Sequence, residues 1–105
     1  MSIPDITLSS YYDDKSYVSV SISNAISGQI TEILFSYDQT NWHTIATANT
    51  ATTFEVTPNS TVYVKARAMK YDTITDFSET KQVTSAKDDT IPPKPVLDYT
   101  VSFYN

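Results

Sequence analysis

The chain has no cysteine, one glycine (Gly28) and one histidine (His43). Without cysteine there is no disulfide framework and no cysteine-based zinc or redox site, so stability has to come from an apolar core. A length of 105 residues suits one domain with one core, able to bury about 65% of the surface that the unfolded chain exposes. With a single glycine, the turns have to be built from Asn, Asp and Ser, which tolerate turn geometry through local hydrogen bonds. With no cysteine there is no thiolate nucleophile, His43 is the single imidazole that could serve a hydroxyl nucleophile as base, and no glycine-rich loop is present to cradle phosphate. No cofactor is expected. No apolar run approaches the ~20 residues that span a bilayer, which argues against membrane insertion. Twelve acids against seven bases give a net charge of −5, the wrong sign for neutralising nucleic-acid phosphates. The start, Met1-Ser2-Ile3-Pro4-Asp5, has neither the basic region nor the apolar stretch of a secretory signal. The expectation is synthesis in the cytoplasm, or a leader removed beforehand.

Thr and Ser are abundant, joined by eight Tyr and four Phe, a bias toward strands. Ile6-Thr7-Leu8-Ser9 alternates and predicts a first strand ending near Tyr11 or Tyr12, with a turn at Asp13-Asp14-Lys15. Tyr17 to Ser23 is the cleanest strand, with Val18, Val20 and Ile22 on one face and serines on the other. A turn over Asn24 to Gln29 precedes a third strand, Ile30 to Tyr37, in which Ile33, Phe35 and Tyr37 share a face. Asp38-Gln39-Thr40-Asn41 has the composition of a tight turn, leading into a short strand from Trp42 to Ala46. Thr52 to Val56 is a fifth strand, stopped at Pro58-Asn59, and Val62 to Lys70 a sixth. Tyr71 to Asp76 reads as a loop, and Phe77 to Ser85 holds a seventh strand. No segment shows helical periodicity. Seven short strands between turn signals predict an all-β, two-sheet Greek-key β-sandwich.

The stretch Asp88-Asp89-Thr90-Ile91-Pro92-Pro93-Lys94-Pro95 reads as the close of that domain, over residues 1–91. Residues 92–105 form a proline-rich connector and then a second alternating stretch, with Leu97, Tyr99, Val101 and Phe103 in step. Three readings fit that ending: the first strand of a following domain, an eighth strand of this one, or an arm that joins a neighbour's sheet edge.

Together, Val18-x-Val20-x-Ile22, Ile33-x-Phe35-x-Tyr37, Val56-x-Pro58, Val62-x-Val64-x-Ala66-x-Ala68, Phe77-Ser78-Glu79 and Asp89-Thr90-Ile91-Pro92-Pro93 resemble a fibronectin type III module over roughly residues 5 to 95. An immunoglobulin-like sandwich without cystine fits the same pattern. The resemblance implies seven strands in two sheets and a module that usually occurs in tandem. Two positions depart from it. Ile22 stands where the family commonly has a tryptophan, and Val62 where it has a corner tyrosine, with Tyr63 pointing outward. The segment Ile33 to Trp42 is similar to a hairpin of such modules in bacteriophage tail, baseplate and fibre proteins, and in modular secreted bacterial enzymes. A start without a signal peptide favours the phage setting.

Few side chains suggest chemistry. His43, beside Trp42 on a short strand, reads as packing or solvent-facing. Asp13-Asp14 and Asp88-Asp89 are adjacent on extended chain and point apart, which suits solvated turns better than paired catalytic carboxylates or a calcium site. Lys65, Arg67 and Lys70 read as an outward face of the sixth strand, balanced by acids across the sheet. Aromatic residues are the best candidates for function. Trp42 is either the core tryptophan or, with Tyr11, Tyr12, Tyr63 and Tyr71, part of a contact patch. Leu97, Tyr99, Val101 and Phe103 join the candidate surface as an apolar arm in need of a partner.

The resulting expectation is a non-enzymatic structural or interaction module, a bacteriophage virion protein of tail, baseplate or head surface. Its partners would be other virion or surface-protein subunits, with host-surface polysaccharide as a second class. The alternative is a carbohydrate-contacting or spacer module of a secreted bacterial enzyme or adhesin, located outside the cell.

Overall fold

The computed structural model describes residues 2–48 and 50–87. The domain boundary expected at residue 91 and the residues Asp88, Asp89, Leu97, Tyr99, Val101 and Phe103 lie outside the described residues. Within them the chain is all-β: β1 (Ile6–Asp13), β2 (Lys15–Ile22), β3 (Ile30–Ser36), β4 (His43–Ala48), β5 (Ala51–Val56), β6 (Thr61–Lys70), β7 (Thr73–Ile74) and β8 (Lys81–Thr84). Two antiparallel sheets result. One has the order β1-β2-β5; the other runs β4-β3-β6, with β7 and β8 both paired to β6.

The sheets pack face to face because their inward rows are the apolar ones. Ile6, Val18, Val20, Ile22 and Val56 from the first sheet meet Ile33, Val62, Val64 and Ala66 from the second in one buried cluster. Phe54 of β5 and Phe35 of β3 close the gap with ring centres 5.0 Å apart. This is a sandwich-like fold, and period-2 alternation fixes its register, since a one-residue slip would exchange the two faces of a strand.

The structure has eight strands where seven were expected. The addition is β7, two residues inside the segment read as a loop. Other boundaries also move. β1 runs on to Asp13 and β2 begins at Lys15, so the first turn narrows to Asp14 (φ 63°). β4 begins at His43, leaving Trp42 outside the strand. β4 also carries one extra residue, Ile45, between Thr44 (opposite Leu34) and Ala46 (opposite Ile33), and Ile45 packs against the core.

Between β7 and β8, side chains replace the strand ladder along β6. Ala68 N–H donates to the Thr75 hydroxyl (3.0 Å) and Ala66 N–H to the Ser78 hydroxyl (3.0 Å). In return Thr75 N–H and Ser78 N–H donate to the Ala68 and Ala66 carbonyls, at 2.9 and 2.7 Å. The β6 edge is thus satisfied where no strand lies beside it. The β1–β8 side of the sandwich is tied by the Lys81 ammonium donating to the Ile6 carbonyl (2.9 Å) and by Ala86 N–H donating to Ser10 Oγ (2.9 Å).

Replacing Ser78 with Ala leaves the buried Ala66 N–H without its acceptor. The expected loss is about 1–3 kcal/mol in urea unfolding, with faster amide exchange at Ala66. Ile33→Ala, at a fully buried site, should cost more, about 2–5 kcal/mol.

Candidate functional site

The two ends of the sandwich differ in chemistry. One end, here the lower pole, collects the chain before β1, the β2–β3 loop, the start of β3 and the β6–β7 hairpin. The upper pole collects the β1–β2 turn, the β3–β4 turn and the β5–β6 corner.

The upper pole is held by hydrogen bonds. At the β3–β4 turn, Ser36 Oγ accepts from Asp38 N–H (3.1 Å) and Gln39 N–H (2.9 Å) and donates to Asp38 Oδ1 (2.8 Å). The Asp38 carboxylate also accepts from Thr40 N–H, Asn41 N–H and Asn41 Nδ2, each at 2.8 Å. The backbone N–H groups of Asn41 and then Thr40, followed by the Ser36 hydroxyl and the Asn41 amide, hold its carboxyl well below the usual carboxylate range. At the β5–β6 corner, Thr57 N–H donates to the Tyr37 hydroxyl (3.0 Å). Buried Ser85 accepts from Ser60 N–H (2.9 Å) and donates to the Thr57 carbonyl (2.6 Å). Tyr37, Glu55, Val56, Thr57 and Pro58 line an open depression of about 460 Å³ beside this corner.

The lower pole is apolar. Among the described residues, the large apolar side chains left exposed are Ile3, Ile26, Ile30, Tyr71 and Ile74 at this pole, and Tyr11 and Tyr37 toward the other. Ile30, Met69 and Ile74 are direct cross-strand neighbours on β3, β6 and β7. Tyr71 occupies the first central position of the two-residue loop between β6 and β7, with φ 55° and 95% exposure. Glycine is favoured where a two-residue hairpin needs positive φ. The loop over residues 23–29 leans on the same hairpin: a Cβ at Gly28 would lie 3.2 Å from Lys70 Cε. Asn24 fixes the chain before β1 by accepting from Asp5 N–H (2.9 Å) and donating to the Ile3 carbonyl (2.9 Å).

The tyrosines and tryptophan expected to form one patch are dispersed. Tyr11 lies on the outward face of the first sheet, stacked on Tyr17 with ring centres 5.3 Å apart. Its row continues to Glu55, and the next row is Ser9, Ser19 and Thr53. Tyr12 is the next residue on the same strand, so it turns to the opposite face. Trp42 and Tyr63 lie on the outward face of the second sheet, and Tyr71 is at the lower pole. Trp42 is half-buried and stands outside the buried cluster. Its ring instead covers the Lys65 ammonium at 4.2 Å, with Phe77 on the same ammonium at 4.6 Å. Arg67 lies over Phe77 at 4.8 Å and pairs with Glu32 at 2.6 Å, the cross-strand acid expected for this face. Lys70 departs from that face. It is out of step with Lys65 and Arg67 in the alternation, and it approaches Gly28 and the Tyr71 ring (5.7 Å).

His43 is exposed and packs its ring against Phe35 at 5.4 Å. Among the described residues, no three His, Cys, Asp or Glu gather as metal ligands, and no helix is long and apolar enough to cross a membrane.

No family model matches the chain, and no curated protein matches it. Among solved structures, the crystal structure of a beta-1,2-glucanase from Parabacteroides distasonis is similar, with a TM-score of 0.57 and 16% sequence identity over 81% of this chain. The chain spans 14% of the length of that protein, and the likeness is one of fold.

Asp38→Ala tests the upper-pole turn. A carboxyl whose folded pKa is depressed stabilises the fold fully above its unfolded pKa of about 4 and ceases to do so as pH falls through the folded value. The variant should therefore melt at lower temperature than the parent at neutral pH, and the gap should narrow as pH is lowered below about 4. A gap that stays constant down to strongly acid pH would show that the carboxylate charge contributes nothing.

Proposed function

We propose that the chain is a non-enzymatic interaction module of the fibronectin type III kind, serving as a structural component on a bacteriophage particle. Two features support the module type. The strand order β1-β2-β5 facing β4-β3-β6-β8 matches the two-sheet arrangement of such modules once the two-residue β7 is set aside. A tyrosine hydroxyl also ties the β5–β6 corner, supplied here by Tyr37 from the end of β3.

The observation that carries the interaction reading is the lower pole. An aromatic side chain is held almost fully in water on a strained backbone, beside a row in which exposed Ile30 and Ile74 flank half-buried Met69. Contiguous exposed apolar surface on a small domain marks a contact site, and tyrosine is a favoured anchor in such contacts. The phage setting rests on the likeness of the Ile33–Trp42 hairpin. It is tested by location: an antibody against the chain should label intact virus particles and resist washing. Absence from purified particles would remove this reading.

A second reading, contact with neutral polysaccharide, is favoured by the outward face of the first sheet. There the stacked Tyr11–Tyr17 pair adjoins a row of hydroxyls at Ser9, Ser19 and Thr53, with Ser19 and Thr53 bonded at 2.9 Å. On this reading, migration in gels containing a neutral glucan is retarded, and Tyr11→Ala abolishes the retardation while melting stays unchanged. Equal migration of both proteins with and without glucan would dismiss it.

A further inference from the structure

The lower pole has a charge pattern that its apolar row alone does not explain. Lys70 and Asp72 flank Tyr71 on the two sides of one tight turn. Neither belongs to the ion pairs found among the described residues, which are Lys15–Glu55 and Arg67–Glu32. The same turn holds its aromatic residue at positive φ and 95% exposure. A bulky side chain in this backbone region is strained, and among the described residues the Lys70 ammonium, 5.7 Å from the ring centre, is the neighbour that approaches the ring.

A Lys-Tyr-Asp tip is self-complementary. When two such tips meet about a two-fold axis, each Lys70 faces the Asp72 of the other copy and the tyrosines meet near the axis, with the Ile30–Met69–Ile74 row, on the outward face of the sheet, at the margin of the contact. Two-fold contacts are the commonest among homo-oligomers because one patch serves both sides. Among the described residues, the upper pole is a poorer match. The upper pole carries Asp13, Asp14, Asp38 and Glu55, and a copy docking there would set an apolar row against carboxylates. We propose that the lower pole, centred on Tyr71, is a two-fold contact surface for a second copy of this chain. The proposal rests on the interaction reading above and names its partner.

Sedimentation velocity of the full chain, from micromolar to millimolar concentration, tests it. A reversible monomer–dimer equilibrium is expected. Tyr71→Ser and, as a second truncation of the same patch, Ile74→Ser should each weaken association about tenfold. Lys70→Asp and Asp72→Lys should each weaken it similarly, because like charges then oppose across the axis. The double variant Lys70→Asp/Asp72→Lys should recover parental association to within about threefold. Tyr71, Asp72 and Ile74 are exposed and Lys70 is half-buried against Gly28, and unchanged melting curves will show that each variant is folded. A parent chain that stays monomeric at millimolar concentration overturns the proposal, as does a dimer that the truncations leave intact. A dimer weakened by both single charge changes but not restored by the double change overturns the two-fold arrangement. A chain found on particles yet monomeric in solution refutes this contact and leaves the interaction reading standing; a dimer absent from particles upholds this contact and removes the phage setting alone.

Discussion

The structure depends on one buried stripe: Val62, Val64, Ala66 and Ala68 on β6, each with no exposed surface. β6 is the strand on which the second sheet is built, with β3 along one side and β7 and β8 along the other. Its inward residues shrink from valine to alanine along the strand. Its outward residues are equally constrained, since the register that buries the stripe sends Lys65 and Arg67 to the opposite face. There Lys65 lies against Trp42 and Phe77, while Arg67 lies over Phe77 and pairs with Glu32. A slip of one residue would bury two cations and expose the stripe. The same register presents Ala66 and Ala68 N–H to Ser78 and Thr75, which lets the chain after β7 run alongside β6 without continuous strand structure.

The strands that carry the core were legible because each side chain on them alternates between the two faces. Val18-x-Val20-x-Ile22 and Val62-x-Val64-x-Ala66-x-Ala68 need no further context to be read. β7 was not legible, since two residues cannot display a period. Trp42 resisted reading for a different reason. It is a lone aromatic at a turn, and what decides its role is Lys65, far along the chain and brought near only by β3–β6 pairing. For Tyr11 and Tyr12 the alternation rule itself separates the pair. Adjacent residues on a strand face apart, whatever their type.

The lower pole was the least legible feature. Ile3, Ile26, Ile30, Tyr71 and Ile74 come from four separate segments, and in sequence each is an isolated apolar residue among polar ones. Singly, such residues need no explanation. Their significance comes from topology, which folds the chain before β1, the β2–β3 loop and the β6–β7 hairpin to one end. The upper pole was easier to anticipate. Ser36, Asp38 and Asn41 are turn-forming types, and their side chains bond within the same turn.

The scarcity of glycine explains why backbone strain can be read at all. With Gly28 alone available, positive φ falls on Asp14, Gln39, Asn59 and Tyr71. Asp and Asn adopt that region at modest cost. Gln39 is compensated, since its N–H donates to the buried Ser36 hydroxyl at 2.9 Å in the turn that Asp38 organises. Tyr71 has neither advantage. Its type is ill-suited to the conformation, and its ring stands in water beside a single ammonium. Glycine or asparagine at position 71 would relieve the backbone without disturbing any buried contact, so stability does not account for a tyrosine there. On the interaction reading proposed above, a requirement for the ring itself does, and the contact the ring would make offsets the strain that the fold does not.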